Sequence, residues 1–318
     1  MIVIQNETAR YRRRWRSRFQ WGVLLCVMVF IYGSHAPLIA LSKVDDRVPF
    51  DPSSCVVMIE LAKLLVSFAA LVSTDGTSAL RAAHSMVLVA PYAIPAVLYA
   101  VNNNLVVLMQ AYMDPSSFQV LSNLKIATTA VLYSLCLSRT LRWRQWVSVG
   151  LLMAAGVCHS YSSLDPANGV PDDATRLHIT AWGLLLILVY CCFSGLAAVY
   201  TERVLKSQKL PLSLQNLYLY VFGVLINGLS SFSALASDKS FLEGYSCTVW
   251  AIVVGQAANG LLMSVLLKHG SGITRLFIIS CSMLVNALLS WALLGLQLTF
   301  FFLLPVSMVG LAAYLYYT

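Results

Sequence analysis

The chain has 318 residues, of which 59% are hydrophobic and 11% are charged, with a formal net charge of +8 and a mean hydropathy of +0.76. A soluble domain carries roughly 25% charged residues, and polar surface would be too scarce here to cover the apolar side chains. These values exclude an ordinary water-soluble protein and indicate a chain embedded in a lipid bilayer.

Uncharged runs predict the membrane-spanning helices, because about 20 apolar residues are needed to cross roughly 30 Å of hydrocarbon. Runs without Asp, Glu, Lys or Arg extend, in chain order, over 19–42, 82–113, 145–164, 177–201, 210–237, 244–267 and 276–318. The second run predicts a helix near 87–110, and the last is long enough for two helices. Two further spans, 54–73 and 116–138, tolerate charged residues. The sequence therefore predicts an all-α membrane protein with ten transmembrane helices.

Basic residues predict the orientation of these helices in the bilayer. With the N-terminus in the cytosol, 15 of the 21 Lys and Arg residues fall on the cytosolic side, 4 on the opposite side and 2 within spans. Because short cytosolic loops carry an excess of Lys and Arg, both termini are predicted to be cytosolic. We therefore interpret the basic tail 1–18 as an orientation signal and expect no nucleic-acid partner.

The polar segment 163–177 separates two groups of five predicted helices and is expected to be a connector on the side of the membrane opposite the cytosol, which is the lumenal side if the membrane is that of an organelle. An odd number of spans in each half, 19–162 and 178–318, requires the second half to be inverted in the membrane. Inverted repeats with a binding site between them are typical of transporters. The eight cysteines show neither a disulfide framework nor metal spacing, and no motif of hydrolytic or metal chemistry occurs. We expect no enzyme, no cofactor and no metal.

Ionisable side chains within spans are the first candidates for a site, because a charge at mid-membrane costs about 2.5–3.5 kcal/mol. Lys125 lies about nine residues into the fourth predicted helix. It is either a structural lysine bonded to helix-end carbonyls or a phosphate-binding cation. The second interpretation is favoured, because the third helix supplies Tyr99, Asn102 and Asn103 and a lysine beside amides suits phosphate plus base.

Glu60 and Lys63 lie three residues apart on the second predicted helix and can pair on one face. Pairing lowers the cost of inserting either charge. We favour a structural or gating pair over direct ligand contact.

Other polar residues in the spans have two interpretations each. Asn216 and Tyr220, one turn apart, either bind ligand or hydrogen-bond a neighbouring helix. Ser194 and Gly195 permit close approach of ligand or backbone, and helix packing is the simpler explanation. Arg275 either enters the site or extends to the headgroups. One stripe at one-turn spacing is interpreted as a packing surface: Asn259, Gly260 and Ser264.

Four stretches within residues 55–295 carry a family resemblance: YAVNNNLVVLMQAYMDPSSFQVLSNLKIATTAVLYSLCLSRTLRWRQW, SGLAAVYTERVLKSQKLPLSLQNLYLY, NGLLMSVLLKHGSGITRLF and IELAKLL. They resemble the Golgi nucleotide-sugar transporters, the group that contains the CMP-sialic acid and UDP-galactose carriers. Within this group the chain is most similar to the A4-type branch.

The resemblance implies a Golgi carrier with ten helices in the drug/metabolite-transporter fold. It would exchange a cytosolic CMP-, CDP- or UDP-linked sugar or alditol for lumenal nucleoside monophosphate. The family's nucleotide-contacting positions correspond to Tyr99, Asn102, Asn103, Lys125, Ser194, Gly195, Asn216, Tyr220 and Lys268, with Phe118 standing where a tyrosine is usual. Lys125 and Lys268 would neutralise phosphates, the amides would recognise the base, and Tyr99 or Phe118 would stack on it.

Departures from the family pattern leave the sugar open. Asn102 stands where a glutamine is usual and Arg275 where a lysine is usual, while Ser122 replaces a tyrosine and Leu276 a glycine. Two other classes also stay open: a non-transporting membrane scaffold or regulator with the same fold, and a general drug or metabolite exporter. Nucleotide binding would distinguish a transporter from the scaffold, which should bind none. An exporter of lipophilic cations would need acidic residues in the site. Association with other transporters or glycosyltransferases is a further expectation.

Overall fold

The computed structural model describes residues 2–43, 48–74, 86–109, 112–113, 115–137, 140–162, 180–235, 241–295 and 302–318. The secondary-structure elements within these ranges are all helical. They are α1 (Ile2–Ser42), α2 (Pro52–Thr74), α3 (Met86–Val89), a 3₁₀ turn (Ala90–Tyr92), α4 (Ala93–Met109), α5 (Pro115–Leu121), α6 (Leu124–Cys136), α7 (Trp143–Ser162), α8 (Ala181–Ser207), α9 (Leu212–Leu235), α10 (Cys247–His269), α11 (Gly272–Leu294) and α12 (Leu303–Tyr317).

The apolar composition of these helices confirms the prediction of a multi-pass all-α membrane protein. Seven helices of the described chain are long and apolar enough to cross a bilayer. Between 17% and 44% of the residues in their apolar windows are buried inside the protein. Large apolar side chains on these helices are exposed at the protein surface, among them Phe30, Leu65 and Leu188, so the surrounding solvent must be apolar as well.

Two predicted spans are interrupted. The span near 87–110 contains the 3₁₀ turn Ala90–Tyr92, where Pro91 lacks an amide donor. The span 116–138 is split at Ser122 and Asn123 into α5 and α6. Asn123 Nδ2 donates to the carbonyl of Gln119 at 3.0 Å and lies 3.1 Å from Ser160 Oγ. Side chains thus supply partners at the break, as buried irregular backbone requires.

Helix packing joins elements that are distant in the sequence. The helix α1 packs against α10 and α11, while α8 packs against α4 and α6. The helix α2 contacts α9 and α10, and α9 also contacts α4. The helices α7 and α12 pack against each other. The largest buried cluster joins apolar side chains of α6, α7, α8, α11 and α12, so both predicted halves share one core.

Two of the predicted segments can be compared with the structure: the N-terminal tail and the connector between the halves. The helix α1 begins at Ile2 and is continuous with the span that starts at Phe19, so residues 2–18 of the predicted tail belong to the same helix. The connector 163–177 lies outside the described residues. Just after it, Thr180 caps α8 by accepting from Gly183 N–H at 3.1 Å and donates to the carbonyl of Tyr112 at 2.9 Å. This contact ties the start of α8 to the turn after α4.

Candidate functional site

Two adjacent cavities lie between the packed helices. The α2-side cavity has a volume of about 260 Å³, with a lining that includes Glu60 and Lys63 of α2. The α6-side cavity has a volume of about 200 Å³, with a lining that includes Lys125 of α6. Three side chains line both cavities and form their common wall: Tyr32, Tyr99 and Arg275.

Lys125 enters the α6-side cavity from the first turn of a broken helix. The break at Ser122 and Asn123 places Lys125 directly after the start of α6 at Leu124. The N-terminus of a helix carries a partial positive charge, and this charge adds to that of the ammonium group. No carboxylate of the described residues lies within ion-pair distance of Lys125 Nζ.

Arg275 lies in the common wall of the two cavities. It belongs to the first turn of α11, which begins at Gly272. Its Nη1 donates to Tyr99 Oη at 3.5 Å, and its Nε is buried without a hydrogen-bond partner in the described part of the chain. The structure therefore places this guanidinium beside both cavities, with unused donor capacity.

The other side chains of the α6-side cavity are mostly neutral. Asn102 lines it, and its Oδ1 is a buried acceptor without a partner among the described residues. Ser194 of α8 and Thr129 of α6 add hydroxyl groups, although Thr129 Oγ1 donates to the carbonyl of Lys125 at 2.6 Å. Tyr190 provides an aromatic surface. Cations, an unpaired amide oxygen and aromatic rings are suited to an anionic ligand with a polar ring.

The predicted pair Glu60 and Lys63 is formed and lines the α2-side cavity. Lys63 Nζ donates to Glu60 Oε1 at 2.5 Å and lies 4.6 Å from the centre of the Tyr220 ring, within the range of a cation–π contact. A Cβ at Gly223 would lie 2.6 Å from Glu60 Oε2, and one at Gly260 would lie 2.7 Å from Lys63 Cδ. The two glycines therefore leave the space in which the pair is held between α9 and α10.

Three further predicted or discussed residues reach the same cavity. Tyr220 Oη donates to the carbonyl of Gly260 at 3.2 Å. Asn103 lines the cavity and is otherwise exposed. Asn259, interpreted from the sequence as part of a packing stripe, lines the cavity with a buried Oδ1 that lacks a partner within the described ranges. Its position is compatible with ligand contact as well as packing.

Four residues of the predicted site lie outside the linings of these two cavities. The ring of Phe118 packs edge-on against Tyr190, with 5.6 Å between the centroids. A Cβ at Gly195 would lie 3.2 Å from the Thr129 backbone, so this glycine permits helix packing.

The other two are polar residues of α9 and α10. Asn216 is buried, and its Oδ1 has no partner in the described chain. Lys268 Nζ donates to the carbonyl of Leu210 at 2.6 Å. This bond ties the end of α10 to the segment between α8 and α9.

Sequence reasoning missed several residues of the linings. Tyr32 lies in the first apolar span, and Tyr190 and Asn227 lie in later ones; nothing near them in the sequence distinguishes them. Thr129 carried a usable signal, because it follows Lys125 by one helical turn and shares its face. For the others, the rotation of each helix decides whether a side chain faces lipid or cavity.

The charge of the combined lining favours an anion. The described lining contains the cations Lys63, Lys125 and Arg275 and one carboxylate, Glu60, which leaves two positive charges. A pyrophosphate diester carries about one negative charge per phosphate, as the phosphodiester groups of DNA do. The two cavities therefore have a charge complementary to such a group.

Comparison with known proteins gives an independent line of evidence. A family model described as nucleotide-sugar transporter matches residues 17–317. The probable UDP-sugar transporter protein SLC35A4 of Danio rerio is 62% identical over 318 residues, covering 100% of both chains. The protein of that name in Xenopus tropicalis is 53% identical over 96% of this chain and 94% of its own. The Homo sapiens relative is 50% identical, with 94% of each chain covered.

A solved structure also matches the fold. It is described only as a crystal structure of a protein, and it aligns with a TM-score of 0.68 over 92% of this chain and 94% of its own. The sequence identity is 12%, so the likeness concerns the fold alone.

Proposed function

The chain belongs to the nucleotide-sugar transporter family, and we propose that it carries UDP-linked sugars across the Golgi membrane in exchange for lumenal nucleoside monophosphate. Among the CMP-, CDP- and UDP-linked compounds left open by the sequence, the names of the relatives favour UDP. Transport, and not a reaction, is the activity for which these relatives are named.

The observation that carries the proposal is the pair of cations Lys125 and Arg275, which line one cavity without a carboxylate partner among the described residues. An intramembrane cation is costly when uncompensated. An anionic ligand removes that cost while it is bound. Phosphate oxygens are suitable partners, because charge-assisted hydrogen bonds are roughly twice as strong as neutral ones.

The nucleoside is assigned to the α6-side cavity by its neutral groups. Asn102 can accept from the N3–H of uracil with its unpaired Oδ1 and donate to a ring carbonyl with its amide. Tyr99 and Tyr190 offer aromatic surfaces on which a base can stack. Phe118 would act indirectly in this arrangement, by supporting the ring of Tyr190.

The sugar is assigned to the α2-side cavity, beyond the common wall. Asn259 Oδ1 can accept from a sugar hydroxyl. Glu60 and Lys63 neutralise each other and would orient hydroxyl groups at the cavity edge or govern its opening. In this proposal Asn216 and Lys268 act outside the ligand contacts, and Arg275 supplies the second phosphate-binding cation.

Helix packing supports the proposal of two inverted five-helix repeats. The contacts of α1 with α10 and α11 correspond to those of α8 with α4 and α6 when the halves are exchanged. The contact of α2 with α10 corresponds to that of α9 with α4. The α2–α9 and α7–α12 contacts each join a helix to its own counterpart in the other half, so the exchange leaves them unchanged. Such a pairing allows the halves to rock about a central site and expose it alternately to each side. A carrier that reorients more readily when loaded is an exchanger.

Counterflow uptake into proteoliposomes tests the proposal. Vesicles preloaded with UMP should accumulate labelled UDP-linked sugars faster than empty vesicles, whereas GDP-linked sugars should show no such stimulation. Both termini should face the equivalent of the cytosol, as the basic residues predict. Folded protein that binds none of the CMP-, CDP- or UDP-linked compounds would contradict the proposal and favour a non-transporting scaffold.

A further inference from the structure

A buried carboxylate near the end of α8 contacts the start of α11, outside the cavity linings. Glu202 is 1% exposed. One carboxylate oxygen accepts from Lys206 Nζ at 2.6 Å, and the other accepts from the backbone N–H of Gly272 at 2.6 Å. Lys206 Nζ also donates to the carbonyl of Gly270 at 2.6 Å. These four residues form what we call the α8 clasp, and it holds the turn between α10 and α11.

The clasp satisfies two backbone groups of this turn, the Gly270 carbonyl and the Gly272 N–H. The N–H groups at the start of a helix have no partner within the helix, and a negative charge is favourable there. Ser271 Oγ accepts from Thr274 N–H at 3.2 Å, and Glu202 accepts from Gly272, the first residue of α11. A Cβ at Gly272 would lie 2.8 Å from Glu202 Oε2. The glycine is thus required for the carboxylate to approach this closely.

A local role alone does not account for these contacts. Glu202 and Lys206 are four residues apart on α8, a spacing at which charged side chains often pair on the surface of a helix. A surface pair keeps both groups in water, whereas this carboxylate is buried and directs its second oxygen to another helix. Removal of a charge from water is costly unless the charge is paired and hydrogen-bonded, and here part of that compensation comes from the first residue of α11.

The group whose position depends on this turn is Arg275. It lies three residues after Gly272 in the same first turn of α11, and its N–H donates to the carbonyl of Ser271 at 3.3 Å. We propose that Glu202 is a positioning residue for substrate binding: it fixes the start of α11 and so sets the place of the Arg275 guanidinium between the two cavities. This inference rests on the proposed function, in which Arg275 binds a phosphate.

The central experiment is a double-mutant cycle measured as the half-saturation concentration for UDP-sugar in counterflow. Glu202→Gln preserves the shape of the side chain and removes its charge. The amide has a single oxygen and cannot accept from both Lys206 and Gly272, so one charge-assisted hydrogen bond of the clasp is lost. We therefore expect the half-saturation concentration to rise about tenfold. In an Arg275→Gln background, the same change should raise it less than about twofold, because the guanidinium to be positioned is absent. Thermal stability should fall equally in both backgrounds.

A matched pair of glycine variants disturbs the clasp from its other side. Gly272→Ala should raise the half-saturation concentration as Glu202→Gln does, since the added Cβ meets the carboxylate. Gly255→Ala in α10 is the control, because its Cβ would have no atom within 4 Å, and it should behave as the wild-type protein.

Hydrogen exchange without substrate separates this inference from the proposed function. Backbone amides from Gly272 to Arg275 should exchange faster in Glu202→Gln than in the wild-type protein. Faster exchange supports the clasp even if no nucleotide sugar is carried. Unchanged exchange, or an equal rise in half-saturation concentration in both backgrounds, overturns the inference even if transport is confirmed.

Discussion

Replacement of Lys125 by alanine is the sharpest test of the phosphate site. The variant removes a charged donor from a cavity of about 200 Å³, where no described carboxylate neutralises it. A hydrogen bond to a charged group contributes about 1.5–3 kcal/mol, which corresponds to roughly a 10- to 150-fold rise in half-saturation concentration. Transport at ordinary substrate concentrations should therefore be strongly reduced.

The thermal stability of Lys125→Ala should not fall with its transport activity. An unpaired intramembrane lysine costs about 2.5–3.5 kcal/mol, so Lys125→Ala should unfold at the same temperature as the wild-type protein or a higher one. Lys125→Arg should retain part of the activity, because the charge remains although its geometry differs. Counterflow uptake and thermal unfolding of the purified protein measure the two effects separately.

The matched control is Lys268→Ala, since Lys268 is bonded to a backbone carbonyl outside the two cavity linings. We expect it to lose stability more than substrate affinity. Wild-type exchange by Lys125→Ala would refute the assignment of the phosphate site. A comparable loss of affinity in Lys268→Ala would show that the family correspondence, and not the cavity lining, identifies the ligand contacts.

The remaining predictions concern the α2-side cavity and the orientation. Combined charge reversal, Glu60→Lys with Lys63→Glu, should restore more counterflow than either single reversal leaves; a double variant no better than the worse single one would show that the residues do not act as a pair. Gly223→Ala should reduce both folded yield and transport, because its Cβ would lie 2.6 Å from Glu60 Oε2, whereas Gly228→Ala meets no atom within 4 Å and should be tolerated. A C-terminal tag should be digested by protease added outside sealed microsomes, and its protection would contradict the predicted orientation.

Fold class and several residues of the linings could be predicted because the membrane makes polar groups conspicuous. Long uncharged runs identify helices by the cost of burying charge. The same cost singled out Lys125 and the pair Glu60 and Lys63, all of which line a cavity in the structure. The amide Asn102 is also there, with an unpaired oxygen.

What could not be predicted depends on breaks and rotations of helices. The span 116–138 contains no glycine or proline that would predict the end of a helix at Ser122. The break is instead supported by hydrogen bonds from side chains such as Asn123, and these depend on the folded structure. Lys268 and Arg275 are separated by a turn of the chain, and only its geometry decides which of them faces the cavities. The inverted relation of the two halves stays a prediction.

The common wall of the two cavities has a consequence for fragments of the substrate. Tyr32, Tyr99 and Arg275 border both spaces, so a ligand that fills both must pass Arg275 at its linking group. Covalent linkage makes the second half of such a ligand bind at a high effective concentration. A free sugar lacks that advantage and the phosphate contact, so sugars in the cytosol would compete poorly even at high abundance. A nucleotide without its sugar keeps the cations but leaves the α2-side cavity to water, and so dissociates more readily than the intact conjugate.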